Sequence, residues 1–252
     1  MKNNVLRQLG RDPGIIIVTR GLALSKSYIV FAIFLTSMAI LTANFGNAFL
    51  GGLPVNSTVY AGPGNSSLHV GTSLSLLSVT LTTIAAITLT TSIILLYVYD
   101  KNNGVLEYFL SLGMNQGDIY KRYLKAVVIL VLLLVIVAAA ANVAVGLILR
   151  GDVIVPLEVT GLAAALSLSI VSFDTMAMIA FSSLQKQRAG ANQPLGLVLG
   201  ALLVVPGYIT PWIFPFIVVV LVDLAEAVVI AALSIALFVF SSRLISREKL
   251  LP

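Results

Sequence analysis

Apolar residues fill this chain in long runs, and polar residues gather in short clusters between them. Backbone that crosses lipid must satisfy its own hydrogen bonds, so long apolar runs in a bilayer fold as helices. A crossing needs about 20 mostly apolar residues. By that measure the pattern predicts six spans, over residues 27–43, 74–99, 126–149, 157–181, 194–205 and 224–240. The expected fold is an all-α membrane protein, one transmembrane domain over residues 1–252.

Three stretches depart from plain helix and loop. In the lead, residues 1–26, Val5, Leu6, Leu9, Leu22 and Leu24 alternate with Arg7, Arg11, Arg20 and Lys26. That mixture suits a helix lying in the interface, apolar side toward acyl chains and cations toward headgroups. It also suits a basic lead that only sets topology. Asp12-Pro13 should interrupt any helix there, because proline fits only a first turn.

The second departure is the loop 100–125, with the sequence DKNNGVLEYFLSLGMNQGDIYKRYLK. Asn102 or Asn103 can cap a short helix over 104–112, and Gly113 can end it in the left-handed region. Asn115 with Asp118 resembles a capping box that opens the next helix. In the short helix, Val105, Tyr108, Phe109 and Leu112 share one side by their spacing. Such a helix is either a docking knob for a partner or a surface helix folded back onto the bundle.

The third is residues 206–222, where Pro206, Gly207, Pro211 and Pro215 interrupt an apolar run. Either a re-entrant hairpin or a kinked loop would accommodate them. Tyr208, Trp212 and Phe214 would then stand at the outer interface, where Tyr and Trp are enriched.

Composition removes the soluble alternatives. Apolar residues make up 59% of the chain and charged residues only 10%, against about 25% charged in a soluble domain. There is no cysteine, hence no disulfide and no thiolate site. The single histidine, His69, makes neither a metal site nor a triad. The net charge of +5 reports topology and not nucleic-acid binding. Lys and Arg collect on the cytoplasmic side of membranes. Five precede the first span, four lie between the second and third, two follow the fourth and three follow the last. Six spans with both termini cytoplasmic in the plasma membrane leave only Arg150 outside. The outer segment 46–71 then carries two acceptor sequences for glycosylation, at Asn56 and Asn65.

The run from Gly104 through Val105, Leu106, Glu107, Tyr108, Phe109, Leu110, Ser111 and Leu112 to Gly113, followed by Asp118-Ile119-Tyr120-Lys121, resembles the cytoplasmic loop of ABC-2 type transporter permeases. The interfacial lead, the six spans, the re-entrant segment and the basic tail 247–251 are similar to that family across nearly the whole chain. Gly113 departs from it, since many members carry proline there. The resemblance implies that residues 104–113 form a coupling helix fitting a groove in a separate ATP-binding-cassette subunit. Gly104, Val105, Glu107, Tyr108, Phe109, Leu112 and Gly113 would make that contact. This chain would bind no cofactor; ATP and Mg would sit in the partner. No Gly-x4-Gly-Lys-Ser/Thr loop is present, so no enzymatic activity is expected of this chain. A second permease copy is the other expected partner. Gly196 and Gly200, spaced for close helix approach, are the candidates for that interface.

Asp174 is the main polar group inside a span. Such acids either serve a transport path or hold helices together. Asp223 and Glu226 sit near the outer start of the last span, where water can reach them. Nine Ser and Thr residues in the second span can bond their own helix or a neighbour, with interhelical bonding the favoured reading. The function expected first is therefore the membrane subunit of an ATP-driven exporter. The alternatives are an ion-coupled carrier or channel using Asp174 and an FtsX-like ABC-linked mechanotransmitter.

Overall fold

The computed structural model describes residues 13–24, 26–45, 66–150, 154–184, 202–206, 208–210 and 216–244. Its helices include α1 (Pro13–Leu24), α2 (Lys26–Phe45), α3 (Ser66–Asn102), α4 (Val105–Ser111), α5 (Gln116–Arg150), α6 (Ile154–Leu184) and α7 (Phe216–Leu244), and residues 202–206 and 208–210 are helical as well. No strand occurs among the described residues. Five helices, α2, α3, α5, α6 and α7, are long and apolar enough to cross a bilayer. The described residues are almost entirely helical, and the chain is a multi-pass membrane protein.

The expected fifth span lies almost wholly outside the described residues, as do Gly196, Gly200, Asn56 and Asn65. Three helix starts differ from the hydropathy pattern, α3 beginning at Ser66 and not near residue 74. Helix α5 begins at Gln116 and not near residue 126, and it carries Asp118, Lys121, Arg122 and Lys125 in its first turns. Backbone bonding propagates past the edge of the apolar run, so charge alone does not end a helix. Helix α7 begins at Phe216, which takes residues 216–222 out of the expected re-entrant segment. The first histidine-bearing turn is likewise helical, His69 lying in α3 and not in a loop.

Side-chain contacts fix how the helices run. At one face, Arg20 of α1 bonds Asp100 near the end of α3, and Tyr97 of α3 meets Tyr123 near the start of α5. Tyr120 of α5 meets Phe238 near the end of α7 at the same face. At the other face, Asn44 near the end of α2 bonds Asn142 in the last third of α5, which bonds Thr160 near the start of α6. Helices α3, α6 and α7 therefore all run toward the first face, and α2 and α5 run away from it. Lys26, Lys101, Lys121, Arg122 and Lys125 cluster with Arg20 at that first face, which is the basic face of the bundle.

Helix α3 is the centre. Of its span, 83% is buried, against 33% for α2 and 28% for α7. The central helix is also rich in hydroxyls, which looks paradoxical until their partners are traced. Thr82, Thr83, Thr88, Thr90 and Thr91 each donate to the carbonyl four residues earlier at 2.8–2.9 Å. Ser92 donates to the Leu89 carbonyl at 2.7 Å. These side chains satisfy themselves on their own backbone, so burial leaves few polar demands on neighbours. Six of the nine hydroxyls thus bond their own helix, where interhelical bonding was expected, and Ser167 of α6 donates across to the Thr83 hydroxyl at 3.3 Å.

Helices α2 and α7 are peripheral. On α2, Ala32, Leu35, Ala39 and Ala43 are buried, whereas Val30, Phe31, Ile33 and Phe34 are exposed. On α7, Val219, Asp223, Ala227, Ile230 and Ser234 form the buried stripe. Small residues on the packed side allow close helix approach, and lipid tails can cover the other side.

Helix α1 does more than float at the interface. Pro13 opens it, and Ile17 and Gly21 turn inward while Ile15, Ala23 and Leu24 stay exposed. A Cβ at Gly21 would stand 2.6 Å from Cδ1 of Ile93 and 3.4 Å from the Ser92 carbonyl oxygen, so α1 touches α3 almost backbone to backbone. Gly21→Leu is expected to destabilise the bundle by about 1–3 kcal/mol through overpacking. Gly21→Ala should cost less, because the Ile93 methyl can rotate aside. Melting temperatures of the two variants in detergent test the ranking.

Candidate functional site

The basic face carries the one short helix between two spans, and its limits are set by glycine. Gly104 precedes α4 with φ 71°, and Gly113 follows it with φ 82°; these are the only positive-φ residues described. Left-handed backbone costs a residue with a Cβ roughly 1–2 kcal/mol, which glycine avoids. The N-cap is Gly104 itself, without a side-chain cap. Asn103, expected as a cap, instead donates its side-chain amide to the Tyr99 carbonyl of α3. The exit matches expectation. The N–H of Gly113 bonds the Leu110 carbonyl at 3.0 Å and that of Met114 bonds the Phe109 carbonyl at 3.2 Å. This pairing is a Schellman motif. The Asn115 carbonyl then accepts the N–H of Asp118 and of Ile119 to start α5.

Between these stops, the faces of α4 differ from the expected arrangement. Leu106 is fully buried and anchors the helix in the core. Phe109 and Leu110 pack partly against the same core. Tyr108 and Leu112 stay 57% exposed, with Glu107 and Ser111 beside them. The expected stripe of Val105, Tyr108, Phe109 and Leu112 is therefore split, because Val105 and Phe109 lean toward the bundle. A helix of 7 residues cannot stand alone in water, and Leu106 supplies the tertiary anchor. The outward surface is Glu107, Tyr108, Ser111 and Leu112. Glu107 lies in the first turn, where an acid favours the helix dipole. Its Oε2 stands 3.6 Å from where a Gly104 Cβ would be.

Beneath α4 lies a polar cluster that the sequence pattern missed. Asp100 has no exposed surface. It accepts from Arg20 Nη2 at 2.7 Å, from Arg20 Nη1 at 3.3 Å and from the Tyr123 hydroxyl at 2.6 Å. An unpaired buried carboxylate would be costly, and a forked guanidinium plus a hydroxyl is a strong way to satisfy it. The Arg20 side chain keeps 41% exposure, so it bridges buried acid and headgroup region. Arg20 thus faces a carboxylate and not lipid headgroups alone, which corrects the expected interfacial placement. Tyr97 holds the Tyr123 ring edge-on, with centroids 5.1 Å apart. The only available signal was an acid at the end of an apolar run, and spacing names no partner 80 residues away.

The remaining polar candidates stand apart from this cluster. Asp174, in α6, is 1% exposed, and its Oδ1 has no hydrogen-bond partner among the described residues. The Thr175 hydroxyl beside it is also unpartnered there. Asp223 was expected near water, yet it is 2% exposed on the packed stripe of α7. Glu226 is half-buried. No group of three or more His, Cys, Asp and Glu suited to a metal occurs among the described residues.

The chain matches no protein-family model, no curated protein and no solved structure at a significant level.

The two faces of α4 make opposite predictions. Leu106→Ala should destabilise the protein by about 2–5 kcal/mol, as large-to-small core changes do. Tyr108→Ala and Leu112→Ala should stay within about 0.5 kcal/mol, as exposed positions do. Gly104→Ala should cost about 1–2 kcal/mol through the left-handed backbone alone. Thermal unfolding of the four variants in one detergent checks the order.

Proposed function

We propose that this chain is the membrane subunit of an ABC-2 type exporter, worked by a separate ATP-binding subunit that docks on α4. The observation that carries the reading is the build of α4. It is a short helix fixed between two left-handed glycines, pinned inward by Leu106, with Glu107, Tyr108 and Leu112 facing out from the basic face. Large exposed apolar side chains on a polar face are costly unless a partner covers them. Tyrosine is among the residues enriched at binding hot spots. ATP hydrolysis would then occur in the partner, and this chain would carry the resulting motion into the bundle.

The reading includes a six-span topology, five of whose helices are α2, α3, α5, α6 and α7. Helices α6 and α7 run the same way, which favours a further crossing in the chain between them. That interval is long enough for a crossing of about 20 residues, and it contains the apolar run 194–205 and the proline-interrupted stretch after it. Concentration of Lys and Arg at one face makes that face cytoplasmic by the positive-inside tendency. Both termini are then cytoplasmic in the plasma membrane, and a second permease copy completes the transporter.

Asp174 favours a second reading, an ion-coupled carrier. A buried acid with an unpartnered oxygen inside a span is the usual mark of a proton or cation path. The two readings separate cleanly. Purification of the native complex should bring an ATP-binding subunit with the chain. Glu107→Arg or Tyr108→Ala should remove that subunit without moving the melting temperature. Nucleotide-independent ion transport by the purified chain, lost in Asp174→Asn, would instead establish the carrier.

A further inference from the structure

Asp100 and Tyr123 stand at the two ends of the segment that carries α4, 23 residues apart in sequence and 2.6 Å apart in space. Their hydrogen bond closes the base of that segment. Arg20 adds a third element, because its fork reaches the same carboxylate from α1. Near the clamp, Gly21 rests on Ser92 and Ile93 of α3, so α1 is held by contact as well as by charge. The neighbours of this clamp are buried. Tyr97 stacks edge-on against Tyr123, and Leu106 of α4 belongs to the same buried core as Tyr97, Ile119 and Tyr123.

We propose that Arg20, Asp100 and Tyr123 are positioning residues whose clamp makes α1, the ends of α3 and α5, and α4 move as one body. Displacing α4 then displaces α1 without a separate contact between them. Only the source of the displacing force rests on the exporter reading; the clamp itself stands on the contacts above. Arginine suits the role better than lysine, because two parallel N–H bonds fix direction as well as distance. Coupling of this kind needs a physically continuous element that both ends bias, and the clamp provides one.

The test exploits the absence of cysteine in the chain. Cysteines placed at Ala23→Cys on α1 and Asn115→Cys just after α4, both exposed positions outside the docking surface, carry spin labels in the full chain in lipid nanodiscs. The intact clamp should give one narrow distance distribution. Arg20→Gln should broaden it about two-fold as α1 samples undocked positions. Arg20→Lys and Tyr123→Phe, which perturb the fold less, should broaden it to an intermediate degree. A lowered melting temperature with unchanged widths in these variants would overturn the proposal, since the cluster would then only stabilise. Widths equal to the wild type in both mild variants would also overturn it if Arg20→Gln fails to fold. Repeating the measurement on the native complex, with and without ATP and vanadate, keeps the two ideas distinct. Absence of any ATP-binding subunit sinks the exporter reading, while the widths measured on the chain alone still decide the clamp.

Discussion

A carboxylate without exposed surface stands near the end of the most buried helix, and the arrangement at the basic face depends on how it is satisfied. Asp100 cannot remain there alone, because an uncompensated charge in such surroundings costs several kcal/mol. It draws the Arg20 fork from α1 and the Tyr123 hydroxyl from α5. Three elements distant in sequence therefore meet at one atom group. The N-terminal helix becomes part of the bundle, and the segment bearing α4 acquires a closed base. The same logic operates higher in α3, where threonines bond their own carbonyls and the helix can be buried on nearly every side.

Helix α4 shows how a surface feature is built from opposing requirements. Its backbone reverses at both ends through glycines at φ 71° and 82°, so its length is set by conformation more than by propensity. One buried leucine fixes its height. What remains outward is a patch of tyrosine, leucine and glutamate on a face crowded with cations. In the exporter proposal a docked partner would cover that patch, and the proposed clamp would carry its motion into the spans. The exporter proposal joins these two observations.

The resemblance to ABC-2 permeases rests on a short loop pattern and on the order of elements. Gly113 was legible as punctuation, whereas Gly104 was read as part of the helix; the structure puts both where a Cβ would strain the chain. The split of α4 into buried and exposed sides was only half legible. Spacing grouped Phe109 with Tyr108, and contact with the core put Phe109 partly inside. Asp223 misled for a related reason. Its nearness to a span end implied water, but its place in the 219–223–227–230 stripe turned it into the bundle.

What the chain's linear pattern determined by itself is its solvent: long apolar runs with sparse charge leave helices in lipid as the physical outcome, because backbone groups there have no other partners. It also determined which face is basic, since span order alone sorts Lys and Arg to one side. Only the tertiary structure decided which helix is central and that Arg20 belongs to Asp100. Those choices depend on side chains from distant segments meeting, and neither hydropathy nor helical periodicity contains information about such meetings.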